Sequence, residues 1–237
     1  ALATLGKNLD DPKHFKIAFD DWRQWDWDLD PPAETPERSS VNQFIDLLNK
    51  TGLEFNHTER DALFDARILH MMIRNSDRIP IGVRTHMINS LGAIRTDSTR
   101  SFLTASGVVM QLYTNHAGTD FVPVKQSSGA FDVPASGLSR VPYLDAAATM
   151  KGNTLFIHLI NFHATDEMDV HILIPGHGIK SQGVTWSIAP ADFMSRNDFG
   201  VTNVALKTQE VDSLSADMVQ RVPPHSIVTI EAQLSDK

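Results

Sequence analysis

Cysteine is absent from the 237 residues. Its absence removes a disulfide scaffold, a thiolate zinc site, an iron–sulfur cluster and a cysteine nucleophile together. Positive charge is scarce: 21 Lys and Arg stand against 29 Asp and Glu, a formal net charge of −8. A phosphate backbone or an anionic membrane surface is therefore repelled on average, and neither nucleic acid nor a membrane is an expected partner. No apolar run reaches the roughly 18 residues of a membrane-spanning helix, and the stretch Ala1 to Lys7 lacks the apolar centre of a signal peptide. A cytoplasmic location is the resulting expectation. Also missing are a Gly-rich phosphate loop, a Gly-x-Ser-x-Gly elbow and a His-Glu-x-x-His spacing, so phosphoryl transfer, serine-hydrolase chemistry, a metal site and a cofactor have no support. What is plentiful is apolar material: 41% hydrophobic residues suffice for a sizeable core in one or two domains.

The two halves of the chain differ in periodicity. Phe15 to Trp22 is a short apolar run that reads as a strand. Val41, Phe44, Ile45 and Leu48 form a helical stripe. Thr58 with Asp61 three residues on predicts a capped helix start, followed by Ala62, Ala66, Leu69 and Ile73 on one face until Asn75 and Asp77 break it. Ile79 to Val83 reads as a second strand, with Pro80 where no ladder N–H is needed. Phe102, Ala105, Val109, Leu112 and Tyr113 make a further helical face. This β, α, β, α order predicts parallel strands with crossover helices. From about residue 119 the helical period gives way to period-two runs at Thr154–Asn161, Met168–Ile174, Val184–Ile188 and Ser226–Leu234, which predict an antiparallel β-sandwich.

The densest chemical signal is Phe19 to Trp27, where three of the four tryptophans and three aspartates fall within nine residues. It lies at the carboxyl end of a predicted parallel strand, which is where α/β barrels place their active sites. Alternation puts Ile17, Phe19 and Asp21 on one face, so Asp21 is the carboxylate expected to point into a site, with Trp22, Trp25 or Trp27 as a flat wall for a sugar ring. The alternative is that the aromatics pack the loop and the aspartates are solvated. His158, His163, His171 and His177 are scattered through strands and turns and are expected to be surface or satisfied core histidines. Asn49-Lys50-Thr51 and Asn56-His57-Thr58 match the short glycosylation pattern, which matters only for a secreted protein.

Lys16-Ile17-Ala18-Phe19-Asp20-Asp21-Trp22 resembles the strand-seven motif of glycoside hydrolase family 51 α-L-arabinofuranosidases, which usually reads Phe-Asp-Glu-Trp with Glu as nucleophile. Asp61 to Asp77 is similar to that family's next helix, Met87 to Ile94 to its last barrel strand and loop, and Val141 to Ala146 and Val222 to Ser226 to its C-terminal sandwich. The resemblance implies an α/β plus all-β fold: the last βα units of a (β/α)8 TIM barrel in residues 1–116, then a jelly-roll β-sandwich in residues 117–237. It places the first six strands upstream of Ala1, together with the Asn-Glu pair whose Glu is the acid/base. It implies a retaining hydrolase that releases terminal α-L-arabinofuranosyl groups from arabinan, arabinoxylan or arabino-oligosaccharides, without a cofactor. It further implies two associations, with the missing barrel portion and with other copies as a homo-oligomer. Asp21 takes the nucleophile's place although it is one methylene shorter than Glu. His86 stands near a usual substrate-binding Gln, and Asn89 matches a pocket position. The alternative is a non-catalytic carbohydrate-binding or structural remnant.

Overall fold

The structure, a computed structural model, describes residues 16–22, 57–133 and 137–235. The helical stripe at Val41 to Leu48, together with Trp25 and Trp27, lies outside the described residues. The order begins β1 (Ala18–Trp22), α1 (Glu59–Arg74), β2 (Ile81–Arg84), with β1 and β2 hydrogen-bonded in parallel. The expected cap starts α1: the Asp61 carboxylate accepts from the Thr58 backbone N–H at 2.7 Å and from its hydroxyl at 3.0 Å. At the other end Asn75 takes over, its Nδ2 donating to Met71 O at 2.7 Å.

Next come the hairpin β3 (Ile94–Thr96) and β4 (Ser101–Leu103), then α2 (Ala105–Asn115). Two expectations change here. Phe102 belongs to β4, not to the helix, because the Thr104 hydroxyl caps α2 by accepting from Gly107 N at 3.2 Å. Met87 to Asn89 and the residues up to Ala93 form turns and an isolated bridge instead of a strand; the parallel partner of β1 is Ile81–Arg84. At Gly107 a Cβ would lie 2.1 Å from the Ala93 carbonyl, so only glycine lets this helix start approach the loop so closely.

The remainder is β5 (Asp120–Val122), β6 (Ala130–Val133), β7 (Leu138–Pro142), β8 (Leu144–Lys151), β9 (Thr154–Asn161), β10 (Met168–Leu173), β11 (Gly178–Ile188), β12 (Lys207–Val211), β13 (Asp217–Val222) and β14 (Ser226–Ser235). An antiparallel six-stranded sheet runs in the order β12-β11-β14-β9-β8-β5, with β10–β13 and β6–β7 as separate pairs. Strand alternation gives this sheet two working faces. Leu155, Ile157, Leu159, Val228, Ile230 and Ala232 pack with Met168, Val170 and Ile172 of β10 and Met218 of β13. Ile160, Ile188 and Ile227 point the other way and join Ala62, Leu63 and Ala66 of α1 and Val108, Val109 and Leu112 of α2. The large sheet is thus the middle layer of three, and the helical half shares a core with it.

The helix-facing side carries buried polar groups. Tyr113 Oη lies 2.6 Å from His70 Nε2, and His70 Nδ1 lies 3.2 Å from Asp145 Oδ1. The network assigns the tautomer: Tyr113 donates to Nε2, and Nδ1–H donates to Asp145. Arg74 adds a forked contact to Asp145, Nη1–Oδ1 2.5 Å and Nη2–Oδ2 3.3 Å. Burial by itself would raise the Asp145 carboxyl, but the hydrogen bonds from His70 and Arg74 hold it at about 2. His158 sits between Thr229 Oγ1 (2.9 Å) and Thr149 Oγ1 (3.3 Å) and is stacked on Tyr113. Burial lowers the pKa of both His70 and His158, so both are neutral in the fold. In the first turn of α1, Glu59 is buried, neither of its carboxyl oxygens is hydrogen-bonded among the described residues, and burial pushes its pKa well above the usual range.

These directions give a signed expectation. A histidine lowered in the fold contributes stability above its unfolded pKa of ~6.5 and loses it as pH falls. The slope is at most about 1.4 kcal/mol per pH unit for each proton. Glu59, raised in the fold, pulls the opposite way above the ordinary carboxylate pKa. His158→Gln removes one titrating group, so chemical denaturation from pH 7 to 5 is expected to show a shallower acid loss in the variant than in the parent chain. Parallel curves would contradict a neutral buried His158.

Candidate active site

Because β1 and β2 are parallel, their carboxyl ends share one edge. Ile17 N donates to Arg78 O at 2.7 Å and Lys16 Nζ donates to Asp77 O, which ties the start of β1 to the approach to β2. The ladder pairs Ala18 with Ile81, Phe19 with Gly82, Asp20 with Val83 and Trp22 with Arg84, leaving Asp21 as the extra residue of a bulge. Its φ is +52°, in the left-handed region that Asp tolerates better than most residues. Bulges re-aim a side chain and are common beside active sites. The alternation that linked Ile17, Phe19 and Asp21 therefore does not run through to Asp21, which reaches the surface by the bulge instead.

Trp22, next in the chain, turns inward and is 5% exposed. Its ring lies against β2: a Cβ on Gly82 would stand 3.7 Å from Trp22 Nε1 and 2.3 Å from Met72 Sδ of α1. Trp22 thus packs the β1–α1–β2 unit and does not form the open wall expected of it. Past β2, the Thr85–His86 peptide is cis, and His86 is exposed at the same edge as Asp21. Asn89 braces the following loop. Its Oδ1 accepts from Thr96 N at 2.8 Å, its Nδ2 donates to Thr96 Oγ1 at 3.1 Å, and its backbone bonds to Ile94 and Gly92. Both ends of the Asn89 amide are thereby used within the turn.

Behind this edge is a charged cluster that the sequence pattern did not reveal. Arg84 Nε donates to Asp65 Oδ2 at 2.8 Å, with the side chains 3% and 0% exposed. Arg84 Nη1 also donates to Leu91 O at 3.2 Å, and Nη2 lies 3.2 Å from His57 Nε2. Burial raises the Asp65 carboxyl, against the pull of Arg84, and burial lowers His57, helped by Arg84. The pair fastens the end of β2 to α1 and to the loop carrying His86 and Asn89. Asp65 beside Ala66 on the apolar stripe of α1 was the available clue. Among the described residues no group of three or more His, Cys, Asp or Glu is arranged to hold a metal ion.

A model of the α-L-arabinofuranosidase C-terminal domain matches residues 20–226. The chain belongs to this family. Three solved structures show the same fold. The α-L-arabinofuranosidase from Thermotoga maritima, determined as an arabinose complex, has a TM-score of 0.75 and 23% identity over 92% of this chain and 43% of its own. The thermostable GH51 enzyme from Thermotoga petrophila RKU-1 gives 0.74 and 23% over 91% and 43%. The GH51 arabinofuranosidase from Xanthomonas axonopodis pv. citri gives 0.77 and 19% over 98% and 44%. No curated protein sequence matches the chain. The arabinofuranosidase-family chain spans less than half the length of these solved enzymes, and its mostly β architecture is that of their C-terminal part.

Proposed function

We propose that the chain is the C-terminal part of a retaining glycosidase that releases terminal α-L-arabinofuranosyl groups from arabinan, arabinoxylan or arabino-oligosaccharides. The observation that carries this is the bulged Asp21 at the carboxyl edge of a parallel β–α–β unit, in a chain of the arabinofuranosidase family. We read β1–α1–β2 as the closing units of a (β/α)8 barrel, so that residues 1–116 belong to the barrel and residues 117–237 to a jelly roll. Exposed Ile17, Ile81 and Val83, at 51%, 55% and 45%, support this, because parallel strands are ordinarily covered on both faces. The rest of such a barrel is the partner that fits them.

Retention uses two carboxyl groups about 5 Å apart. The Asp21 carboxylate attacks the anomeric carbon, and the bond to the leaving oxygen breaks as an acid/base delivers a proton to that oxygen. The same acid/base then takes a proton from water, which displaces Asp21 from the glycosyl-enzyme. The family resemblance assigns the acid/base to the portion that the match leaves out. We assign His86, exposed at this edge, to contact with a sugar hydroxyl, and Trp25 and Trp27 to the sugar wall. A non-catalytic sugar-binding reading is favoured by one feature, the Asp that stands where the family usually has Glu.

NMR of the released sugar from a chain joined to a complete barrel tests the proposal: the first-formed arabinose is expected in the α configuration, and inversion would contradict it. The 237-residue chain alone is expected to show no turnover of an aryl α-L-arabinofuranoside. Hydrolysis by it would place the second carboxylate within this sequence.

A further inference from the structure

Everything between the end of β2 and the start of α2 belongs to one β-to-α connection, so the β3–β4 hairpin stands on the carboxyl side of the parallel pair with Asp21 and His86. In an α/β barrel that side carries the substrate. Asn89 fixes the base of the hairpin through Thr96. At its tip Asp97 Oδ1 accepts from Thr99 N at 2.8 Å and from Arg100 N at 2.7 Å, and Asp97 Oδ2 accepts from Arg100 Nε at 2.9 Å and Nη2 at 2.6 Å. The Thr99 N–H, and after it the Arg100 guanidinium, hold the Asp97 carboxyl down at about 2, so the pair stays ionised and carries no net charge.

A loop of the sandwich reaches the same place. Residues 189–206 connect β11 to β12, and the helical half fastens them: Glu59 N donates to Ser195 O and Arg60 N to Phe193 O, both at 2.9 Å, and buried Asn197 donates from Nδ2 to Leu103 O of β4 at 2.9 Å. The next four residues form a turn closed by the Asp198 and Val201 backbones at 2.9 Å in both directions, with Gly200 at φ +78°. This turn sets Phe199 edge-to-face with Phe102 of β4, 5.0 Å between ring centres, and beneath Arg100, whose guanidinium carbon lies 4.5 Å from the Phe199 ring centre. The Arg100 side chain is 59% exposed, and its Nη1 makes no hydrogen bond among the described residues.

We propose that Arg100 and Phe199 form the contact for the sugar on the leaving side of the scissile bond, a neutral pentose unit of the chain that carries the arabinofuranosyl group. This rests on the glycosidase reading of the Asp21 edge. The sugar ring lies on the outer face of the guanidinium, Phe199 supports that plane from below, and Nη1 donates to a hydroxyl. A guanidinium offers such a plane and an ammonium does not. Because Asp97 already neutralises Arg100, the surface matches a neutral sugar better than a uronate. The sandwich thereby supplies a substrate-binding residue to the barrel face, and the arabinofuranosyl group is selected by what carries it as well as by its own ring.

The test compares a neutral arabinoxylo-oligosaccharide with methyl α-L-arabinofuranoside, which has no sugar on the leaving side, in a chain joined to a complete barrel. Arg100→Ala and Phe199→Ala are each expected to lower the ratio of kcat/KM on the oligosaccharide to that on the methyl glycoside about tenfold. The loss is expected in KM for the oligosaccharide with kcat retained, as for a contact made equally in the ground and transition states. Arg100→Lys keeps the charge but not the plane, and is expected to behave like Arg100→Ala. An unchanged ratio in both alanine variants, an equal loss on the two substrates, or an Arg100→Lys protein equal to the parent would each overturn the proposal. Absence of turnover in the parent would instead contradict the glycosidase reading, and saturation-transfer NMR of the 237-residue chain then reads the contact without catalysis. The oligosaccharide signal is expected to fall in Arg100→Ala; equal signal in parent and variant, or stronger binding of a uronate oligosaccharide, would overturn the proposal.

Discussion

Asp21→Ala, introduced into a chain joined to a complete barrel, is expected to lower kcat/KM on an aryl α-L-arabinofuranoside by on the order of 1,000-fold or more, as removal of a covalent nucleophile does. Attack requires reacting atoms about 3–3.5 Å apart, and an error near 1 Å costs on the order of 100-fold. Aspartate is shorter than the usual glutamate, so the backbone must bring it forward. On the proposed role, the unpaired position of Asp21 between the Asp20–Val83 and Trp22–Arg84 pairs, with φ +52°, is the backbone feature that would compensate for the shorter side chain. Asp21→Glu lengthens the side chain on the same bulged backbone and is expected to be slower than the parent but faster than Asp21→Ala. Equal activity of the parent and Asp21→Ala, measured as initial rates, would remove Asp21 from the nucleophile's role.

Asp145→Ala is expected to destabilise the fold by about 3 kcal/mol, the upper part of the range for leaving a buried donor without its partner. For a chain of this size that corresponds to a fall in Tm on the order of 10 °C. Asp145 is 8% exposed at its side chain and receives both the Arg74 fork and the His70 N–H, so its loss leaves a fully buried imidazole donor without an acceptor. Arg67 makes a useful control, since its contact with Asp145 is 3.9 Å long and its side chain is 45% exposed. Arg67→Ala is expected to change stability by less than about 1 kcal/mol. Thermal melts of both variants at pH 7 check the pair, and equal losses would contradict the assignment of the Asp145 contacts to the α1–sheet clamp.

How far the sequence discloses these features depends on the range of the interaction. Helix α1 is legible because its cap and its stripe are local: Thr58 and Asp61 are three residues apart, and Ala62, Ala66, Leu69 and Ile73 follow the helical period. Strands β9 and β14 are legible because β-branched residues alternate along them. Strand β8 is not, because Asp145-Ala146-Ala147-Ala148 has low strand propensity and both of its faces are covered, which removes the alternation. Strands β12 and β13 are missed because exposed edge strands carry polar residues that read as loop.

The candidate site divides in the same way. The position of Asp21 at a strand end follows from the local pattern, but its bulge depends on the register with β2, more than 60 positions away in the chain. Trp22 reads as a sugar wall because exposure and packing look alike in a run of aromatics; only the proximity of Gly82 and Met72 shows that it turns inward. Arg84–Asp65 and Asp145–His70 join residues 19 and 75 positions apart, and no local period reports such pairs.

The most direct test is to trap the glycosyl-enzyme on a chain joined to a complete barrel, using a slowly hydrolysed arabinofuranosyl donor with an activated leaving group, followed by peptide mass spectrometry. One arabinosyl adduct on the peptide containing Asp21, absent from Asp21→Ala, is the predicted result. An adduct on another carboxylate, or equal labelling of the Asp21→Ala protein, would contradict the account.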